Sequence, residues 1–359
     1  MRMAFAVLAA AFGWALPVYA GAPSGEMFEW TVEGRDVEGV PLVWNRRELV
    51  LFGRDGRIWQ FPASQARQYR RTSDRFQGYS PSELRAMLLR ELGEGYEVSG
   101  TGHYLVAHPR GKRDQWADRF EELYRTFVRY FSVRGFSLRE PPFALLGVVC
   151  RDRADFARQA ARGSVFPGRG ILGFYSTRTN RILLYDLESG EPRAARWQQS
   201  ASTVIHEATH QMAFNTGIHS RRSPPPTWVA EGLATTFEVV GSGSGEAGSP
   251  KGLAHPGWLR QFQQSVAPRH RPELLADLIA GDGVFQTDPP LAYAEAWALT
   301  FYLAQTQPQK YAEYLARTAA HAPMERITAP QRTADFTAVF GDDWRMLEAR
   351  LLRFMDELR

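Results

Sequence analysis

Five residues, His206-Glu207-Ala208-Thr209-His210, constrain this chain more than any other stretch. Two histidines four apart meet on one face only if the segment is helical, where they stand about one 5.4 Å turn apart. So placed, both imidazoles reach a single Zn²⁺ at about 2.0–2.1 Å. Glu207, next to the first histidine, approaches a water at that metal without ligating it. Residues of this kind at this spacing point to metal-assisted hydrolysis with a carboxylate base. The bland alternative is a helix with two hydrogen-bonded structural histidines.

A catalytic zinc site needs a third protein ligand and an open position. The first helix is expected to end near Asn215-Thr216-Gly217, where glycine suits a C-cap. After Pro224-Pro225-Pro226, Thr227 is expected to N-cap a second helix running from Trp228 to Val240. That helix is apolar nearly all round, as a buried helix is. Its polar exceptions, Glu231, Thr235 and Glu238, share one stripe. A carboxylate on a buried helix needs a partner, and a metal ion supplies one. A solvated helix acid is the other reading of Glu231.

The spacing His206-Glu-Ala-Thr-His210, followed 21 residues later by Glu231 in Trp228-Val-Ala-Glu-Gly-Leu-Ala234, resembles the gluzincin zinc metallopeptidases. The longer run, with Gln211, Asn215-Thr-Gly217, Pro226-Thr-Trp228 and Glu231-Gly-Leu-Ala234, is similar to an exported bacterial family of predicted peptidases of unknown function. The resemblance covers about residues 170–305. It implies one catalytic Zn²⁺ on His206, His210 and Glu231, with Glu207 as general base. It also implies an α+β zincin-like fold: a mixed sheet, the zinc-binding helices and a helical subdomain across the cleft. The aminopeptidase branch carries Asn where Ala230 stands, and its Gly-x-Met-Glu-Asn segment has no counterpart here, so exopeptidase action is not implied. Gly170–Tyr185 occupies the equivalent place. One strand of this hairpin is either the edge on which an extended peptide aligns or plain scaffold. Tyr293 opens a helix in a segment similar to the one in which that branch keeps an oxyanion-donating tyrosine, with Ala296 in place of its glycine. Tyr293, Trp297 and Phe301 also sit at core-stripe spacing, so Tyr293 is either the donor or a packing residue.

A zinc-dependent hydrolase is expected, and the resemblance implies an endopeptidase acting on peptide or protein substrates. The alternative is a non-catalytic envelope protein of the same fold that binds a peptide or glycan partner. Nucleic acid is not expected: 43 basic residues stand against 39 acidic ones, and no dense basic run with interleaved aromatics occurs. One cysteine, Cys150, excludes an intrachain disulfide framework and Cys-x-x-Cys zinc sites; it reads as a buried strand thiol. Arg2, the apolar run Met3–Pro17 and the small residues Val18 and Ala20 form a secretory signal peptide cleaved after Ala20. A periplasmic or secreted protein, off the membrane after cleavage, is expected.

Behind residues 1–20, short strands over 25–65, with a hairpin turn at Asp55-Gly56, are expected to form either a small β module resembling the SH3-like SLA1-homology type or a hairpin extension of the main domain. A catalytic α+β domain is expected over 80–240 and a cleft-closing helical subdomain over 250–359. His219, Arg221 and Arg222, between the two zinc helices, read as solvated loop residues or substrate contacts. His103, His108, His255, His270 and His321 lack ligand spacing.

Overall fold

The computed structural model describes residues 25–111, 116–168, 171–185, 193–243, 249–269 and 272–358. The expected signal peptide, residues 1–20, lies outside the described residues. Among the described residues no helix is long and apolar enough to cross a membrane.

The fold is α+β. An N-terminal antiparallel sheet contains β1 (Met27–Val32), β2 (Arg35–Trp44), β3 (Glu48–Gly53), β4 (Ile58–Pro62) and β5 (Ala66–Ser73), in the order β4-β3-β2-β1-β5. Trp30, Val32, Val37, Leu49 and Leu51 form its core. The fifth strand, over a stretch that reads as Arg-rich and polar, sits at the edge beside β1. Its residues are largely exposed, so it carries no apolar alternation.

Helix α1 (Pro81–Leu92) leads to a second, mixed sheet: β6 (Tyr96–Gly100), β7 (Tyr104–Pro109), β8 (Leu145–Cys150), β9 (Gly173–Ser176) and β10 (Arg181–Tyr185), in the order β6-β7-β8-β10-β9. Between these strands lie α2 (Trp116–Ser132) and α3 (Arg153–Arg162). The start of α1 is set by a capping box, in which Ser80 and Glu83 satisfy each other's backbone N–H groups. The central strands β7, β8 and β10 are buried on both faces, and their side chains alternate between two cores. Tyr104, Val106, Leu145, Val149, Ile182 and Leu184 face α2 and the two helices that follow the sheet. Leu105, Ala107, Leu146, Val148, Cys150 and Leu183 face the side of α1 and α3. Cys150 is therefore buried as expected, and burial pushes its thiol up to about 12.

Helices follow to the C-terminus: α4 (Arg193–Thr216), α5 (Thr227–Gly241), α6 (Pro250–Leu253), α7 (Pro256–Gln261), α8 (Pro272–Ala280), α9 (Gly283–Thr287), α10 (Pro289–Thr306), α11 (Pro308–Ala319), α12 (Ala329–Phe340) and α13 (Trp344–Glu357). Helix α4 stops at Thr216, where Gly217 turns left-handed with φ +92°. Helices α5 and α10 cross at backbone contact. A Cβ on Gly232 would lie 2.2 Å from Thr300 Oγ1 and 2.5 Å from the Ala296 carbonyl oxygen, so only glycine fits there. With Ala296 in place of a glycine on α10, the close approach is made from the other helix, by Gly232.

Thr227 is not the cap of α5. It is the first helical residue, Pro226 precedes it, and no side chain caps the end. Instead Asp282 accepts the Thr227 N–H at 3.2 Å, and Arg332 holds Asp282 through contacts of 2.9 and 3.0 Å. A carboxylate from the C-terminal helices thus does the work of a local hydroxyl.

Candidate metal centre

Gln211 and Asn215 fix α4 on the sheet. Gln211, fully buried, donates to the carbonyls of Leu146 and Asn180 at 3.0 and 2.9 Å. Asn215 and Asn180 bond side chain to side chain at 2.8 and 3.1 Å, and the Tyr175 hydroxyl donates to Asn180 at 2.8 Å. Asn180 holds the left-handed φ of +58° that closes the β9–β10 turn. The helix bearing both histidines is therefore set directly against the edge strand β9.

His206 and His210 project from one face of α4 and meet Glu231 of α5. The separations are 3.1 Å between the two Nε2 atoms, 3.2 Å from His206 Nε2 to Glu231 Oε2, and 3.6 Å from His210 Nε2 to Glu231 Oε1. Four-coordinate zinc with bonds of about 2.0–2.1 Å places its ligands roughly 3.3 Å apart, so this triangle has the right size. Its chemistry fits as well. His206 Nδ1 is 2.9 Å from Glu238 Oε1, so in the neutral ring Nδ1 carries the proton and Nε2 presents a lone pair. That lone pair, the His210 nitrogen and the Glu231 carboxylate then face one point and repel unless a cation lies among them. The same need shows in the protonation balance. Burial pulls the His206 imidazole down, yet the hydrogen bonds to Glu231 and Glu238 and the charge of Glu231 outweigh it and raise the ring to about 10. Burial opposes ionisation of Glu231, but His210 and His206 hold its carboxyl far below the usual range. Among the described residues this is the one such grouping of His, Cys, Asp and Glu.

Glu207, one residue on, points toward β9 and accepts the Tyr175 N–H at 2.7 Å. Burial raises its carboxyl above the ordinary value, with His210 and His206 opposing. Tyr293, near the start of α10, does not follow Trp297 and Phe301 into the core. Those two rings are fully buried and stack at 5.5 Å. Tyr293 is only partly buried, lies between Trp258 and Phe285, and its hydroxyl is raised by burial, by the Glu231 charge and by a hydrogen bond to Glu231. All five residues singled out in the sequence thus come together here.

Glu238 and His255 complete the surroundings. Glu238 accepts from Ser202 at 2.6 Å and contacts His255 Nε2 at 3.3 Å, besides holding His206; these partners outweigh burial and bring its carboxyl to about 2. His255 Nδ1 accepts the N–H groups of Gly257 and Trp258 at 3.1 and 3.2 Å, which leaves the proton on Nε2 to be donated to Glu238. A helix cap in the C-terminal half is thereby linked to the first histidine. The signal for Glu238 was its place on the α5 stripe with Glu231; nothing local marked His255. Replacing Glu238 with Gln keeps the shape but removes the charge behind His206. Loss of such an outer partner costs about 10–100-fold in metal affinity, measurable by competition with a chromogenic chelator. Unchanged affinity would detach Glu238 from the site.

The loop between α4 and α5 is not solvated. His219 is fully buried, Arg221 is 8% exposed and Arg222 is half-buried. Arg221 donates to the Gly56 carbonyl and lies over the Phe52 ring, joining the β3–β4 turn to the loop between α4 and α5. Burial, with a smaller push from His210, depresses the His219 imidazole to about 3. An unfolded histidine titrates near 6.5. Above that value His219 is neutral in both states. As pH falls below it the unfolded chain takes up a proton that the folded one refuses, so stability is lost until about pH 3. Between pH 7 and pH 5 this amounts to about 2 kcal/mol. In urea unfolding, wild type is expected to lose that much more stability than His219→Phe over this range. Equal losses would show that His219 does not carry the effect.

Residues 200–325 match a family model described as a protein of unknown function (DUF1570), about a third of the chain. No curated protein matches. Among solved structures, an M1 zinc metallopeptidase from Deinococcus radiodurans, bound to a Tyr-Ser-Ala substrate, is similar at 13% identity with a TM-score of 0.36. The match covers 71% of this chain and 51% of that one, so this chain spans about half the length of the structure it matches.

Proposed function

We propose that this protein is a zinc-dependent endopeptidase of gluzincin type, with the α4, α5 and β9 elements as its zincin-like centre. The observation that carries the reading is the convergence of His206, His210 and Glu231 within 4.8 Å, with Glu207 beside them against an edge strand. Zinc, when held by those three side chains, supplies Lewis-acid activation of a water and of the scissile carbonyl.

The chain's own groups do the rest. Glu207 takes a proton from the attacking water on its carboxylate and passes it to the leaving amine. Its raised pKa suits a group that must hold a proton between the two steps. Strand β9 ends the mixed sheet and offers main-chain groups on which an extended peptide can lie beside Glu207. Glu238, backed by Ser202 and His255, keeps His206 in one tautomer and orientation. Tyr293, tethered to Glu231 in the resting site, turns its hydroxyl to the carbonyl oxygen as negative charge builds there. The chain is taken to work outside the cytoplasm, after removal of residues 1–20.

A quenched-fluorescent peptide library tests the proposal. Cleavage is expected, abolished by a chelator and restored by Zn²⁺. Binding of peptides without turnover under all metal conditions would favour the non-catalytic alternative. In the same assay Tyr293→Phe is expected to lower kcat by about 10²–10³ with zinc content and KM nearly unchanged. Unaltered kcat would return Tyr293 to a packing role.

A further inference from the structure

The β9–β10 hairpin is held by the N-terminal sheet. Contacts join the β3–β4 turn to the hairpin turn over residues 177–180. Ile58 donates its N–H to the Arg178 carbonyl at 2.8 Å. Gly56 lies so close to Asn180 that a Cβ there would stand 2.7 Å from Asn180 Nδ2. Arg221 adds a link from the loop between α4 and α5. Its Nη1 donates to the Gly56 carbonyl and reaches the Thr177 carbonyl at 3.4 Å.

Arg221 is 8% exposed, and burial works against its charge. A buried guanidinium is costly unless its hydrogen bonds are met. Here two main-chain carbonyls meet them, and the Phe52 ring lies 5.1 Å away. An apolar side chain fills such a space without desolvating a charge. What it cannot do is bridge two carbonyls from different turns. The arginine's particular contribution is therefore the connection.

That connection runs on to the base. Asn180, beneath Gly56, accepts from the Tyr175 hydroxyl at 2.8 Å and bonds Asn215 of α4. The Tyr175 N–H in turn meets Glu207 at 2.7 Å. The carbonyls of Leu172 and Ser176 accept the N–H groups of Tyr185 and Asn180, on the β10 side. Main-chain groups alternate in direction along an antiparallel strand. Gly173 and Tyr175 thus present theirs on the outer side, where an incoming peptide strand pairs.

We propose that Arg221 is a positioning residue for the substrate: it lets the N-terminal sheet hold β9 in strand geometry, with Gly173 and Tyr175 ready to pair with an extended peptide. This rests on the reading of β9 as the substrate strand. The bonds of Arg221 go to the two turns and not to a metal ligand.

Arg221→Met keeps an unbranched stem and removes both donations. In that variant KM for a peptide long enough to lie along β9 is expected to rise about tenfold, as when the hairpin is strand-ordered in roughly one molecule in ten. kcat and zinc content are expected to stay nearly unchanged, the signature of lost binding rather than lost chemistry. Arg221→Lys, which keeps a donor, is expected to recover part of the loss. Acetohydroxamate, which reaches only the metal, is expected to bind wild type and variant alike. Ile58→Pro removes the other link from the module side, at the first residue of an edge strand, where proline is tolerated. The same rise in KM is expected. Hydrogen exchange reads the coupling without turnover: amides of residues 173–184 are expected to exchange about tenfold faster in both variants, with β7 and β8 unchanged. A wild-type chain that cleaves no peptide would strike the reading of β9 and the positioning role with it. Cleavage with unchanged KM in both variants, a loss confined to kcat, or unchanged exchange of the hairpin would overturn the role of Arg221 alone.

Discussion

Replacing Glu207 with Gln is expected to leave a folded, zinc-loaded protein whose peptide cleavage is about 10²–10⁴-fold slower. The amide has nearly the carboxylate's shape and can still accept the Tyr175 N–H through its oxygen, so the contact at β9 survives. What it lacks is basicity. A loss confined to kcat, with zinc content unchanged, identifies a group that acts on the proton rather than on the metal. Turnover within a few fold of wild type would exclude Glu207 as the base.

Glu231→Ala is the second large effect. It removes one corner of the donor triangle and the negative charge that draws a cation to it. Zinc affinity is expected to fall by well over about 100-fold, beyond what loss of an outer-shell partner alone produces, and hydrolysis with it. His206 and His210 remain on α4, so residual weak binding through two imidazoles is expected. Competition against a chelator of known affinity measures the drop. Full occupancy in the variant would mean that the carboxylate is not a ligand.

The centre was legible because its spacing is local. Two histidines four positions apart define a helix face, and an acid on a nearly all-apolar helix stands out against its neighbours. The central strands were legible for a similar reason: Leu145–Cys150 and, after Arg181, the run 182–185 read as continuous apolar runs and are buried on both faces. Two of the edge strands carry no such signal. Strand β5 is mostly exposed and Arg-rich, and β6 is buried only at alternate residues, so neither declares itself. The remaining gaps concern partners brought from afar. Asp282 caps α5 from 55 residues away, and His255 reaches Glu238 only once the C-terminal helices are packed. The loop between α4 and α5 misled for the same reason. His219, Arg221 and Arg222 are polar residues between prolines and helix ends, the usual composition of a solvated turn. Only the docking of the β3–β4 turn, through Gly56 against Phe143 and Asn180, buries Arg221 there. Gly56 must be glycine on two counts, its φ of +77° and a Cβ position 2.4 Å from Phe143, but neither is visible without the second element.

Anomalous diffraction at the zinc edge, from crystals of the zinc-loaded wild-type chain, tests the central claim most directly. The expected result is one strong peak bonded to a nitrogen of His206, a nitrogen of His210 and a carboxylate oxygen of Glu231 at about 2.0–2.2 Å, with Glu207 outside bonding distance. A fully loaded crystal with its zinc elsewhere, or with Glu207 in place of Glu231 as the third ligand, would contradict it.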